Sequence, residues 1–202
     1  MQFVGSTVWP TITSYLKKGK IRRVAAVAYL NTGAFELLPL RKGDTLVVND
    51  SALALTTGAT NPHEIEKFKK KGVRCYGNED LHAKLFVSDN YIVVGSANAS
   101  SNSKNNLIEA CLTVKSQDMA EEAEAWILSL QLVPIDANRL RDMKKAYRFP
   151  KFWKKRGTKK RSATTARTWV TWVKGDCQSP ILKNLSRSMK KQKPSKGAVT
   201  RR

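Results

Sequence analysis

"LHAKLFVSDNYIVVGSANAS" (residues 81–100) is the stretch on which the reading of the chain turns. Two apolar runs, 81–87 and 91–94, flank the turn-forming "SDN", which is the pattern of a β-hairpin. The same stretch carries one of only two histidines in 202 residues, two positions from a lysine. Residues two apart on a strand share a face, so His82 and Lys84 point the same way. An imidazole beside an ammonium suits attack on a phosphodiester: the lysine holds a non-bridging oxygen while a ring nitrogen attacks phosphorus.

Ser96 and Asn98 repeat the two-residue spacing directly after Gly95, a residue that permits close backbone approach. Their hydroxyl and amide complete a candidate phosphate cradle. The join of the hairpin decides whether they reach it. A three-residue connection of Ser88, Asp89 and Asn90 sets Ser96 opposite His82, whereas a two-residue turn puts Ser96 on the wrong face unless a bulge intervenes. Asp89 lies seven positions from His82, an odd offset, and reads as an anchor of the turn. Glu109, on the next strand, is placed to hydrogen-bond the far nitrogen of an imidazole and fix its tautomer.

Outward from the hairpin, "VAAVAYL" (24–30) and "TLVVN" (45–49) read as buried strands, with further strands at 73–76 and 107–114. Asn61 as N-cap, Pro62 at the first helical position and Glu64 in capping-box position start a helix that Gly72 ends. Met119, Ala123, Trp126, Ile127 and Leu130 recur at helical spacing, and a last helix starts near Asp136 and buries Leu140, Met143 and Tyr147. Strands mixed with helices imply an α/β or α+β fold. There is no internal repeat.

Charge divides the chain. Residues 1–150 carry 20 Lys and Arg against 15 acids, and residues 151–202 carry 17 against one, giving +5 and +16 of the total +21. The expected organisation is a catalytic domain over 1–150 and a basic, Trp-containing extension over 151–202, partly disordered. A polyanion is the natural partner of such an extension, because each neutralised phosphate releases a counterion. Nucleic acid fits better than an anionic membrane, since the basic residues lie on no amphipathic helix with a broad apolar face. The competing reading is a tail kept soluble by charge alone. Lys154, Lys155, Arg156, Lys159, Lys160 and Arg161 are the candidate phosphate contacts. Trp169 and Trp172, on opposite faces of "RTWVTWVKG", either stack on bases or pack a flap onto the core.

No apolar run approaches the roughly 20 residues of a membrane span, and the N-terminal stretch lacks the features of a signal peptide. Cys75, Cys111 and Cys177 are too few and scattered for a disulfide framework or a zinc site. A reduced, cytoplasmic protein is expected, with no membrane partner.

His82-x-Lys84-x4-Asp89, then Gly95-Ser96-x-Asn98 and Glu109, resembles the HKD signature of the phospholipase D superfamily. "TTGATNPHEIEKFKKKGV" and "LHAKLFV" also resemble small bacterial members with a single motif, and the likeness covers about residues 21–131. It implies a mixed central β-sheet flanked by helices. It further implies that His82 forms a covalent phosphohistidine, that Lys84 and Asn98 bind the phosphate with help from Ser96, and that Glu109 orients a histidine, in its own copy of the motif or in the other. Members need no metal or cofactor. The family mechanism uses two motifs, one histidine attacking and the other protonating the leaving oxygen. This chain has one, and His63 reads as a surface or capping residue, so a homodimer is expected. The resemblance fixes the bond type and leaves open a lipid substrate or a nuclease fold that binds without cutting. The charge favours nucleic acid, with DNA ahead of RNA.

Overall fold

A computed structural model describes residues 1–149 of the chain. The apolar runs form one eight-stranded sheet: β1 (Gln2–Ser6), β2 (Arg23–Val27), β3 (Thr45–Val48), β4 (Arg74–Gly77), β5 (Lys84–Ser88), β6 (Tyr91–Gly95), β7 (Glu109–Lys115) and β8 (Val133–Pro134). Their order is β1-β7-β6-β5-β2-β3-β4-β8. β3 runs parallel to both β2 and β4, and the remaining neighbours are antiparallel. β2, β3 and β5 are buried along their whole length, as their near-continuous apolar sequences require.

The described residues also form seven helices: α1 (Trp9–Lys18), α2 (Ala34–Leu37), α3 (Ala52–Thr56), α4 (Pro62–Lys70), α5 (Ser101–Asn106), α6 (Gln117–Ser129) and α7 (Ala137–Ala146). On one face of the sheet Ala25, Val27, Phe86, Val93 and Cys111 share a core with Trp9, Ile12 and Leu16 of α1, Ile65 and Phe68 of α4, and Leu140 and Met143 of α7. On the other, Val24, Ala26, Leu85, Val87 and Ile92 pack with Ala120 and Ile127 of α6. The sheet is mixed and flanked by helices, as expected.

Several local expectations change. Asn61 caps α4 by accepting from the His63 N–H at 2.9 Å, but Glu64 closes no capping box. Its carboxylate is buried, accepts from the Phe35 N–H at 3.0 Å and pairs with Lys67 at 2.6 Å, while the Asn61 N–H goes to Leu30 O. On α6 the buried positions are Ala120 and Ile127, and Met119 and Trp126 stand about half exposed, so the apolar side is narrower than its spacing predicts. Tyr147 is only partly buried and ends α7 as its cap. β1 and α1 have no counterpart in the sequence reading. α1 packs through Trp9, Ile12 and Leu16, an i, i+3, i+7 series hidden among Thr and Ser.

Candidate active site

The end of β2, the start of β5, the end of β6 and the start of β7 meet at one end of the sheet. The register fixes this: Val27 pairs with Lys84, Leu85 with Val94, and Gly95 with Cys111. Lys84 is two residues from Phe86, and Glu109 two from Cys111, so both lie on the α1 face of the sheet.

Lys84 is buried at the base of the cluster, and His82, just ahead of β5, is exposed beside it. Lys84 Nζ donates to His82 O at 2.8 Å and lies 3.3 and 3.4 Å from the two ring nitrogens. Burial pulls the Lys84 ammonium below its usual range, and the charge of Glu109 partly offsets this. Tyr29, from the segment after β2, closes the other side. Its ring meets the His82 ring edge-on at 6.0 Å, and its face lies 6.0 Å from Lys84 Nζ.

The hairpin join is short. Ser88 pairs with Tyr91, leaving a two-residue turn of Asp89 and Asn90. Continued regularly, that register would turn Ser96 away from Lys84. The β5–β6 ladder has already ended, however, and the chain bends at Ser96. The Ser96 N–H donates to Ala110 O at 3.0 Å, its Oγ accepts from the Ala110 N–H at 3.1 Å, and its hydroxyl proton goes to Glu109 Oε2. A two-residue turn thus replaces the three-residue connection, and the bend turns the Ser96 hydroxyl to Glu109. Gly95 makes it possible: a Cβ there would meet Ala110 O and come within 2.6 Å of Cys111 Cβ and 2.9 Å of Cys111 Cα. No side chain fits between β6 and β7 at that point.

Asn98 is held next to Tyr29 because the chain after the bend runs alongside the end of β2. Ala99 N–H donates to Tyr29 O at 3.1 Å, and Asn31 N–H to Ala99 O at 2.8 Å. The amide oxygen of Asn98 is buried with no hydrogen-bond partner. Glu109 is buried, accepting from Ser96 on one oxygen and from Ser103 at 2.8 Å on the other.

Asp89 is remote from this cluster in role. Its backbone is left-handed, φ 49°, and its carboxylate accepts from the backbone N–H groups of Lys20, Ile21 and Arg22 at 2.7, 3.1 and 3.1 Å. Burial alone would raise its pKa, but those N–H groups and the Arg22 charge carry it below the ordinary aspartate value. His63 sits on α4 with its ring edge-on to Tyr147 at 6.0 Å. The candidate nucleic-acid contacts from Lys154 to Arg161, with Trp169 and Trp172, lie outside the described residues.

Sequence reasoning missed Tyr29, Trp9 and Ser103. Tyr29 lies within an apolar run and carries no spacing signal, and Ser103 lies in a polar stretch, "SSNSKNN", that reads as loop. Among the described residues no group of three His, Cys, Asp or Glu could hold a metal ion, and no helix is long and apolar enough to cross a membrane.

Solved structures with this fold include NucT from Helicobacter pylori, at 12% identity and TM-score 0.50, covering 66% of this chain and 99% of that one. Phosphatidylserine synthase from Haemophilus influenzae Rd KW20 follows at 15% and 0.51, covering 71% of this chain and 44% of that one. Nuc from Salmonella typhimurium, a phospholipase D family member, aligns at 15% and 0.47 over 73% and 95%. Residues 45–131 match the family model described as cardiolipin synthase, PLD-like domain. The fold is phospholipase D-like, and the segment that matches this model contains His82, Lys84, Ser96, Asn98 and Glu109. No curated protein sequence matches the chain significantly.

Proposed function

We propose that this chain is a metal-independent phosphodiesterase that cleaves nucleic acid, DNA in preference to RNA, in an active site completed by a second copy of itself. The observation that carries the reading is the packing of Lys84 Nζ against both ring nitrogens of His82, within reach of the charge of Glu109, which Ser96 holds. In the proposed reaction Lys84 and Asn98 hold the non-bridging phosphate oxygens. A nitrogen of His82 attacks phosphorus, the P–O bond to the leaving nucleotide breaks, and the leaving oxygen takes a proton from the second copy's His82. That histidine then removes a proton from water, which attacks phosphorus and breaks the P–N bond, restoring His82. Lys84 supplies the positive charge that a metal ion supplies in other phosphodiesterases.

The choice of nucleic acid is supported by the +16 carried by residues 151–202. The dimer is supported by the chemistry, which needs two histidines where the chain offers one motif.

Supercoiled plasmid incubated in excess EDTA with the protein or with His82→Ala tests the reading. Nicking by the parent and not the variant, with specific activity falling on dilution, is the expected result. DNA binding without nicking would instead make the chain a nucleic-acid-binding module. Release of headgroup from phosphatidyl lipids, with plasmid intact, would make it a lipid phosphodiesterase. Nicking by both proteins would remove His82 from the chemistry.

A further inference from the structure

A chain of hydrogen bonds runs from α1 to Glu109. Trp9 Nε1 donates to Ser103 Oγ at 3.0 Å, and Ser103 Oγ donates to Glu109 Oε1 at 2.8 Å. Trp9 and Ser103 are each only 2% exposed, so neither bond competes with solvent.

The chemistry of the donors fixes the direction of every proton. An indole N–H can only donate, so Ser103 Oγ accepts from Trp9 and has its single proton left for Glu109. On the other side Ser96 Oγ accepts from the Ala110 N–H and gives its proton to Oε2. Both carboxylate oxygens thus accept from hydroxyls: that of Ser103 has no alternative arrangement, and that of Ser96 has only the longer contact to Ala110 O at 3.5 Å beside it. A carboxylate offers about four acceptor positions, so about two remain for other donors.

The outer members are themselves fixed. The Ser103 N–H donates to Ser100 Oγ at 3.0 Å in the N-cap of α5. The Trp9 ring stands edge-on to Phe86 at 5.9 Å, and Phe86 is two residues along β5 from Lys84. One tryptophan therefore braces the strand that carries the lysine and, through Ser103, the glutamate opposite it. Support of this kind holds reacting groups to the tolerance that catalysis needs.

We propose that Trp9 and Ser103 are positioning residues that lock the Glu109 carboxylate in the orientation required for the chemical step. The inference rests on the phosphodiesterase reading. It differs from a purely structural role, in which the same bonds would only satisfy a buried indole and a buried hydroxyl and so would affect stability alone.

The test uses the full chain and two substrates, supercoiled plasmid and bis(p-nitrophenyl) phosphate, with Ser103→Ala, Ser103→Thr, Trp9→Phe and Glu109→Gln. Ser103→Ala is expected to lower kcat about 10- to 100-fold at unchanged KM, the usual range for loss of an orienting partner. Ser103→Thr, which keeps the hydroxyl, restores most of it, and Trp9→Phe falls between. The indole N–H resonance of Trp9, identified by its loss in Trp9→Phe, shifts in Ser103→Ala and in Glu109→Gln but stays in place in His82→Ala.

Parent-like kcat in folded Ser103→Ala overturns the proposal. So does equal impairment of Ser103→Ala and Ser103→Thr that merely follows a fall in Tm, or an indole resonance indifferent to Glu109→Gln. A parent inactive on both substrates overturns the phosphodiesterase reading and, with it, the catalytic claim. The indole resonance still decides separately whether the bonded chain itself exists.

Discussion

Lys84 Nζ is bonded to the backbone of His82, 2.8 Å from its carbonyl oxygen, and lies 3.3 Å from Nε2 of the same residue. The lysine is thus fixed relative to the histidine by main chain as well as by side chain, and its charge is held beside the ring.

Replacing Lys84 by methionine separates this role from stability. The ammonium is desolvated, which disfavours its charged form, so a methionine of similar length removes a cost while filling the same space. Cleavage is expected to fall by roughly 10²- to 10³-fold, as for loss of one preorganised electrostatic donor, with Tm unchanged or higher. A variant that keeps parental activity would displace Lys84 from the site.

The pH profile carries a second sign. Activity that needs the Lys84 ammonium is lost as pH rises through a pKa below 10.5, since burial lowers it and Glu109 only partly restores it. Glu109→Gln removes the restoring charge, so the alkaline limb should move to lower pH in that variant. Initial rates across the alkaline range check this; a limb that moves up contradicts the electrostatic link between the two residues.

Asp89 tests the separation of anchor from chemistry. Asp89→Ala strips the acceptor from three backbone N–H groups and places alanine at φ 49°, so a loss of about 1–3 kcal/mol in urea denaturation is expected. Its folded pKa lies below the usual value. Its contribution is therefore complete above the unfolded pKa, near 3.8, and disappears as pH falls through the folded one. Turnover per folded molecule should stay within about threefold of the parent, as for other groups that do not touch reacting atoms. A large fall in kcat at intact stability would give Asp89 a part in the reaction.

Removing residues 151–202 takes away 17 of the 37 basic residues. Binding to plasmid should weaken, and the slope of log K against log salt should become shallower, while turnover of bis(p-nitrophenyl) phosphate is retained. An unchanged slope would take the extension out of the interface.

The parts of this molecule that were legible in its sequence are those governed by one local rule. Alternation and apolar runs marked β2, β3 and the β5–β6 hairpin, and the Asn61-Pro62 pair marked the start of α4. His82, Lys84, Asn98 and Glu109 were singled out by their spacing and by the motif that the spacing resembles, and of the four only Lys84 and Glu109 stand on strands. What escaped notice depends on partners distant in the chain. Glu64 looks like half of a capping box until Phe35 and Lys67 claim its carboxylate. Ser96 looks misplaced after a two-residue turn until Gly95, pressed against Cys111, lets the chain bend. Ser103 has meaning only once Trp9, 94 residues earlier, reaches it.

The strand order has a consequence for the time at which the cluster comes into being. Tyr29, Lys84, Asn98 and Glu109 stand at the ends of separate segments, and only the β5–β6 hairpin between them forms from near neighbours. Pairing of Ala26 with Leu85 and of Gln2 with Thr113 closes long loops, and such pairings cost entropy before they repay it. Docking of Trp9 behind Glu109 adds another long closure. A partly folded or nascent chain therefore holds these residues apart, and the proposed chemistry requires the most distant contacts to have formed. Onset of activity during refolding becomes a clock for the last stage of sheet assembly.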